Sequence, residues 1–412
     1  MQSIQIAWNA SHIAPKSARA KQLPGDKTHH CIILLIAHEK LETIRRTARS
    51  LADQETTAPK TLLVSVEGTT QNVEALKNEI EYICEPTFER IVWTTHEHQP
   101  GEVKSTASNH RHAQLVAASL FEDISDDVIL SKVDANVKIH GQLFALIEDA
   151  WWTSPRSHRP GVVFFPMLST VCLGDGCPKL QPLIDFWVSP GLQRLPFPPS
   201  FISGSLAGCA KCEYTDAHLL AEDELLFAKK NIMIPGGATT KRIPAVYQKI
   251  LELPDNCSSA TFVTQVWIPK CFRWIRGHME TQHFLFFWFW GCEGFPRASA
   301  FDILKTMIRL SPYSLTCFAW PWVAICAGLF DAGSTGLRAL GCYSVPLLHA
   351  IASMVWLQYF SFNGVTALRQ SVGVKICGLI TVHILHGLYP FVMTFIFLSS
   401  AIRNMRVNHN VK

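Results

Sequence analysis

The stretch from Ser311 to Ile402 is almost without negative charge: its single carboxylate is Asp331, and long apolar runs fill the rest. Over the full 412 residues only 17% are charged against 48% hydrophobic, apolar for a wholly soluble chain. Because nearly all the acidic residues lie before position 303, the shortage is local, and the chain divides into a soluble part and a membrane part. A dense lysine and arginine stripe is also missing. With a net charge of only +4 there is no electrostatic footprint for nucleic acid. Nor is there a disulfide framework, since the thirteen cysteines are odd in number and four of them fall inside the late apolar runs. Reduced thiols facing the cytosol follow. Residues 1–29 carry Lys16, Arg19, Lys21 and Lys27 but no apolar core of signal-peptide length, which predicts a loose cytosolic tail.

What is present after that tail is alternation. Cys31 to Ala37 is a short apolar run, and Leu41, Ile44, Ala48 and Leu51 then recur at helical spacing within Glu39 to Gln54. The same unit repeats: Thr61 to Val66 as strand, Val73 to Ile83 as helix, Arg90 to Thr94 as strand, His110 to Phe121 as helix, Asp127 to Val133 as strand. Such alternation predicts an α/β sheet flanked by helices. The proline-rich segment from Trp151 to Phe201 reads as loop and short strands. His283 to Cys292 is aromatic but far short of the roughly 20 residues a span needs, so it reads as an interfacial segment. Three longer runs, Tyr313 to Phe330, Leu340 to Phe362 and Ile376 to Ile402, are span candidates. The predicted layout is a tail at 1–29, an α/β domain at 30–282, an interfacial segment at 283–310, an all-α transmembrane region of about three spans at 311–402, and a basic tail at 403–412. Orientation stays open, because Arg369 and Lys375 favour one cytosolic loop while Arg403, Arg406 and Lys412 favour a cytosolic end.

Six polar signals occur in a fixed order along the soluble part. They are Ser50-Leu51 with Gln54; Glu67-Gly68 after an apolar run; Gly101, Lys104 and Asn109; Asp134-Ala135-Asn136 at a strand end; Ala221-Glu222-Asp223 after Ser203-Gly204-Ser205 and within a run of helical spacing from Asp216 to Lys230; and Lys270-Cys271-Phe272-Arg273-Trp274. In this order they resemble glycosyltransferase family 2, the GT-A nucleotide-sugar-binding fold of cellulose, chitin and hyaluronan synthases and of ceramide glucosyltransferase. The resemblance covers positions 30 to 280, and trailing spans suit the membrane-integral branch. Three positions depart from the family pattern: Glu67 stands where an aspartate is usual, Asn136 where a carboxylate is usual, and Lys270 where glutamine is usual.

The resemblance implies a role for each signal. Ala37 to Glu39 would lie against the nucleotide, Glu67 would accept from the nucleobase, and Gly101, Lys104 and Asn109 would lie near the donor phosphates, Lys104 as a point charge. Asp134 and Asn136 would hold a divalent cation, magnesium or manganese, which wants oxygen ligands. Asp223 would be the general base that takes the proton of the acceptor hydroxyl. Arg273 would pair with the leaving diphosphate, and Trp274 would offer its face to the acceptor. The implied activity is inverting transfer of a sugar from a nucleotide-diphosphate sugar, a UDP-sugar first, to a lipid or glycan hydroxyl. The implied location is a multi-pass membrane protein with its catalytic domain in the cytosol. A catalytically silent relative serving as scaffold or binding module is the rival reading, motivated by the three departures. Cys172, Cys177, Cys209 and Cys212 include a C-x-x-C pair, but their spacing favours buried thiols over zinc. His383 and His386 read as polar groups facing neighbouring helices.

Overall fold

The computed structural model describes residues 27–253, apart from 104, 140, 174–199 and 221, together with isolated positions between 257 and 289 and the segment 298–310. Strand β1 (His29–Ile36) lies between two parallel neighbours, β2 (Lys60–Glu67) and β4 (Val128–Asp134), with β3 (Arg90–His96) beyond β2. Strands covered on both faces are apolar throughout rather than alternating. In β1 the two sets of side chains go opposite ways. Ile32, Leu34 and Ile36 pack with Ile44, Ala48 and Leu51 of helix α1 (Leu41–Ala52) and with Leu76 and Ile80 of helix α2 (Val73–Cys84). Cys31, Ile33 and Leu35 pack with Ala113 and Ala117 of helix α3 (Thr106–Leu120). The period of two in the strand thus builds a three-layer domain.

The Ser50, Leu51 and Gln54 pattern is architectural. Ser50 Oγ accepts from Ile139 N at 3.1 Å and donates to Thr47 O at 2.7 Å, while Gln54 Nε2 donates to Ser50 O at 3.1 Å. These bonds pin α1 to the short strand β5 (Val137–Ile139).

Beyond β4 the sheet becomes mixed. Its order is β3-β2-β1-β4-β7-β6-β8-β5, with β7 (Phe201–Ser205) antiparallel to β4 and β6, and with β8 (Thr239–Glu252) parallel to β6 (Val162–Leu173). Strand β5 follows β4 in the chain after only Ala135 and Asn136, yet it stands at the opposite end of the strand order, paired to β8. The far edge therefore returns to the carboxyl end of β4. That return places Lys249 of β8 beside Asp134.

The structure departs from the sequence expectation at three places. Within the stretch expected to be loop, β6 runs for 12 residues and is joined to β8 by eleven paired positions with one register shift. Helix α3 begins at Thr106, four residues before His110, because Ser105 Oγ caps it by accepting from Ala107 N at 3.1 Å. The helical run expected from Asp216 begins at Glu222. Helix α4 (Leu143–Trp152) and the short helix α5 (Leu206–Lys211) complete the layers, and α6 is Glu222–Met233. In the aromatic segment Leu285 and Trp288 are buried against Phe227 and Ala228 of α6 and Ile303, whereas Phe289 is exposed. No helix among the described residues is long and apolar enough to cross a membrane. The three expected spans, with His383 and His386, lie outside the described residues.

Candidate active site

Strand β4 carries a lysine where an interior strand should carry none. Lys132 is 1% exposed, and an ammonium taken that far from water needs several partners. Three carboxylates supply them: Lys132 Nζ stands 2.8 Å from Asp134 Oδ1, 3.1 Å from Glu222 Oε1 and 3.5 Å from Asp223 Oδ1. The last two open helix α6, where negative charge is favoured by the unpaired N–H groups of the first turn. Thr106 Oγ1 adds a hydrogen bond to Glu222 Oε1 at 3.2 Å.

Ser200 closes the ring. Its N–H donates to Asp223 Oδ2 at 3.1 Å, its carbonyl accepts from Asp134 N at 3.2 Å, and its hydroxyl accepts from Lys249 Nζ. Lys249 Nζ is also 3.6 Å from Asp134 Oδ2. Ser200 holds this position with φ of 64°, a left-handed conformation that a residue with a β-carbon adopts at a cost.

The two aspartates share a lysine and diverge in acidity. Burial pushes the Asp134 carboxyl up, but Lys132 and Lys249 outweigh it and hold the group down to about 2. Burial also pushes Asp223 up, and although Lys132 opposes this, Glu222 and Asp134 add to the rise, leaving it at about 7. Lys132 itself would be lowered by burial, yet Asp134, Asp223 and Glu222 together keep it well above its ordinary value. Asp134 is therefore a fixed anion at neutral pH. Asp223 is a carboxylate that exchanges a proton there, which is the property wanted in a general base.

A cleft of about 500 Å³ opens at the carboxyl ends of β1 and β2, the edge where open α/β sheets bind ligands. Ala37, Glu39, Glu67, Thr69 and Thr70 line it. Ala37 N donates to Glu39 Oε2 at 2.9 Å, Thr70 Oγ1 donates to Ala37 O at 2.9 Å, and Thr70 N donates to Glu67 O at 2.8 Å. These bonds knit the two strand ends into one wall. Asp134 is on the next strand, paired in register with Leu35 two residues before Ala37.

Asn136 follows Asp134 by one turn residue. Its Oδ1 is buried with no hydrogen-bond partner among the described residues. An orphaned amide oxygen two residues along the chain from a fixed carboxylate suits a hard divalent cation, which takes neutral and charged oxygens together. The residues fit such an ion, with Lys249 as a competitor for Asp134.

Ala37, Glu39, Glu67, Asp134, Asn136 and Asp223 are thus all placed along one edge of the sheet. Asn109 is not at that edge. It is buried, its Nδ2 donating to Ser65 O at 3.2 Å and its Oδ1 accepting from Ser65 Oγ at 2.6 Å, so it clamps α3 to β2 instead of facing donor phosphates. Gly101, at φ of 90°, turns the loop before α3, and its carbonyl is 2.9 Å from His218 Nδ1. Lys104, Lys270, Arg273 and Trp274 lie outside the described residues. Cys209 and Cys212 are buried free thiols, raised by burial, in the second case to about 12. Lys132, Lys249 and Ser200 were not anticipated. Only Lys132 left a trace in the sequence, as one charge inside the apolar run Val128-Ile129-Leu130-Ser131-Lys132-Val133.

No protein-family model and no curated sequence matches the chain. Among solved structures, the mannosyltransferase PcManGT of Pyrobaculum calidifontis, in complex with GDP-Man and Mn2+, is similar with a TM-score of 0.47 and 12% identity, over 93% of this chain and 94% of that one. TarS of S. aureus, residues 1–349, gives 0.39 and 11% over 88% and 91%. GalNAc-T7 with UDP, GalNAc and Mn2+ gives 0.38 and 13% over 69% and 54%. Likeness of this degree carries no functional argument, which rests on the site's own geometry.

Proposed function

We propose that the chain is a membrane-bound inverting glycosyltransferase that moves a sugar from a nucleotide-diphosphate sugar, a UDP-sugar first, to the hydroxyl of a lipid or glycan acceptor. The observation that carries this reading is the divergence of Asp134 and Asp223 around one buried lysine, at the strand end next to a cleft of nucleotide size. In the proposed reaction Asp223 takes the proton of the acceptor hydroxyl as that oxygen bonds the anomeric carbon. The bond from that carbon to the diphosphate oxygen breaks on the opposite face, and the nucleoside diphosphate leaves with the electron pair. Stabilising that leaving charge is the larger part of the work. A divalent ion held by Asp134 and Asn136 would supply part of the positive charge. Lys104 and Arg273 supply the rest in this reading, and Trp274 receives the acceptor.

Lys132 has a separate duty. By staying charged it holds Asp134 ionised, and by touching Glu222 and Asp223 it keeps three acids in one place without forcing all of them to protonate. Glu39 and Glu67 line the part of the cleft assigned to the nucleotide. The α/β domain at 30–282 is followed, in this proposal, by the membrane region at 311–402, with the active site at the cytosolic face.

The test is to reconstitute the full chain in lipid with magnesium or manganese, offer a panel of nucleotide sugars, and measure released nucleoside diphosphate. Release from one donor, stimulated by a lipid or glycan acceptor, is the expected result. Nucleotide binding with no release from any donor would make the chain a binding module.

A further inference from the structure

Strand β3 ends at His96, and the loop that follows carries Glu97, His98 and Glu102. None of the four takes part in the transfer chemistry above. One ligand atom from each of His96, His98 and Glu102 lies within 4.8 Å of the others. His96 Nε2 is 3.1 Å from Glu102 Oε2, near the ~3.3 Å that separates two ligands each ~2.0–2.1 Å from a tetrahedral ion. His96 is buried, so an ion on its Nε2 would be largely shielded from water.

The donor set names the class of ion. Two imidazoles and one carboxylate are borderline donors suited to zinc or a neighbouring divalent transition metal, whereas magnesium and calcium prefer oxygens alone. Three protein ligands leave a further position for water or another small ligand. The surroundings give the site a purpose. His96 pairs in register with Glu67, its carbonyl accepts from Gly68 N at 2.9 Å, and Glu67 lines the cleft with its Oε2 3.8 Å from His98 Nε2. Further along the same loop, Val103 N donates to Ala217 O at 2.9 Å, and the Gly101 carbonyl reaches His218.

We propose that His96, His98 and Glu102 form a binding site for a divalent transition-metal ion, zinc in class, which fastens the loop after β3 to the wall of the cleft. The ion's role is to hold the loop in place. It is separate from the cation assigned to Asp134 and Asn136, and the site stands whether or not the chain transfers sugar.

The experiment uses the full chain in detergent, stripped of metal and titrated with cobalt(II), whose ligand-field absorption reports nitrogen and oxygen coordination, followed by displacement with zinc. About one equivalent should bind to the wild type, and zinc should raise its thermal midpoint where magnesium does not. His98→Ala, a change at a partly exposed side chain, should weaken cobalt binding at least ~10-fold. Glu102→Gln keeps an oxygen that can accept from His96, so the loop can still form, yet it should weaken the metal similarly. Asp134→Asn should leave the cobalt spectrum unchanged. The proposal fails if the wild type binds no zinc at micromolar concentrations, or if His98→Ala and Glu102→Gln bind as the wild type does. It fails equally if Asp134→Asn abolishes the signal, since the ion would then sit at β4.

Discussion

Two groups of ionisable side chains share the carboxyl edge of the sheet, one at the end of β4 and one at the ends of β2 and β3, and they are built in opposite ways. At β4 the cations are part of the chain: Lys132 and Lys249 reach Asp134, and Lys132 also meets Glu222 and Asp223. At β3 the partners are imidazoles, and no lysine or arginine forms an ion pair with Glu67 or Glu102 among the described residues. A cluster with its own cations sorts its acids into one that stays ionised and one that trades a proton near neutrality. A cluster without them has to take its positive charge from solution, as protons or as a metal. The first arrangement suits acid–base chemistry; the second suits binding.

The sharpest way to break the β4 side is Asp223→Asn, which deletes the proposed base while keeping its bulk and leaving the cleft residues in place. Transfer should fall by about 10² to 10⁴ with donor binding nearly unchanged. The pH profile makes the assignment specific. A base at about 7 must be deprotonated to work, so wild-type transfer should climb as pH rises and level off above that value. The residual rate of the variant should lack this step. An unaltered profile would move the base to another residue.

Lys132→Met attacks the same cluster from its centre. Removing one partner of a buried charge network commonly costs about 3–5 kcal/mol, because the remaining charges lose their compensation. The sign of the pH dependence follows. Without the lysine the folded-state pKa values of Asp134 and Asp223 rise, so the penalty is full above those values and shrinks as pH falls and the acids take up protons. Chemical denaturation of the detergent-solubilised variant at pH 8 and pH 5.5 should show a smaller deficit at the lower pH. A deficit independent of pH would mean that packing, not charge, is what Lys132 provides.

The cation has a gentler test. Activity should require magnesium or manganese with weak apparent affinity, since Asn136 brings a neutral oxygen where a carboxylate would bring charge. Asn136→Asp should lower the metal concentration for half-maximal release by about tenfold, as ligand charge tunes affinity. Full activity after exhaustive chelation would free Asp134 of any metal role and leave Lys104 and Arg273 to neutralise the diphosphate.

The two halves of the sheet were not equally readable. Strands β1, β2 and β4 announce themselves as apolar runs because neighbours cover both faces, and Asp134 stands out as the polar residue that ends one of them. Glu222 and Asp223, at the start of α6, were legible only through the resemblance of Ala221-Glu222-Asp223 to a family motif, since acids in the first turn are ordinary in any helix. Strand β8 was not visible, because Lys241, Arg242, Pro244 and Lys249 interrupt it and its burial comes from contacts distant in the chain. Asn109 was misassigned because a buried amide clamp and a phosphate ligand look alike in sequence. Lys132 was passed over because period-two reasoning sends a strand lysine to solvent. In a strand covered on both faces there is no solvent side, and the rule should have demanded carboxylates instead. His96 and His98 carry no recognisable spacing in sequence, since their partner Glu102 meets them only through a turn at Gly101.

The smallest expected effect is at Glu67, which belongs to both sides of the comparison: it lines the cleft, and its Oε2 is 3.8 Å from His98 Nε2. If its carboxylate accepts from a nucleobase N–H, Glu67→Gln keeps an acceptor oxygen and loses only the charge that strengthens the bond. That difference is on the order of 1 kcal/mol, or about a fivefold rise in the donor KM, with kcat unchanged because the base lies far from the bond being broken. Discrimination between nucleotides should narrow as well, since the glutamine can also present its NH₂ to a base acceptor. Cobalt binding at the β3 cluster should stay as in the wild type, because Glu67 is outside the set of three ligands. Steady-state kinetics with two nucleotide donors and a cobalt titration of the same variant separate the outcomes. A loss in kcat without change in KM would place Glu67 in the chemistry. A loss of cobalt affinity would join the two strand ends into a single metal-linked site and erase the boundary between binding and catalysis drawn here.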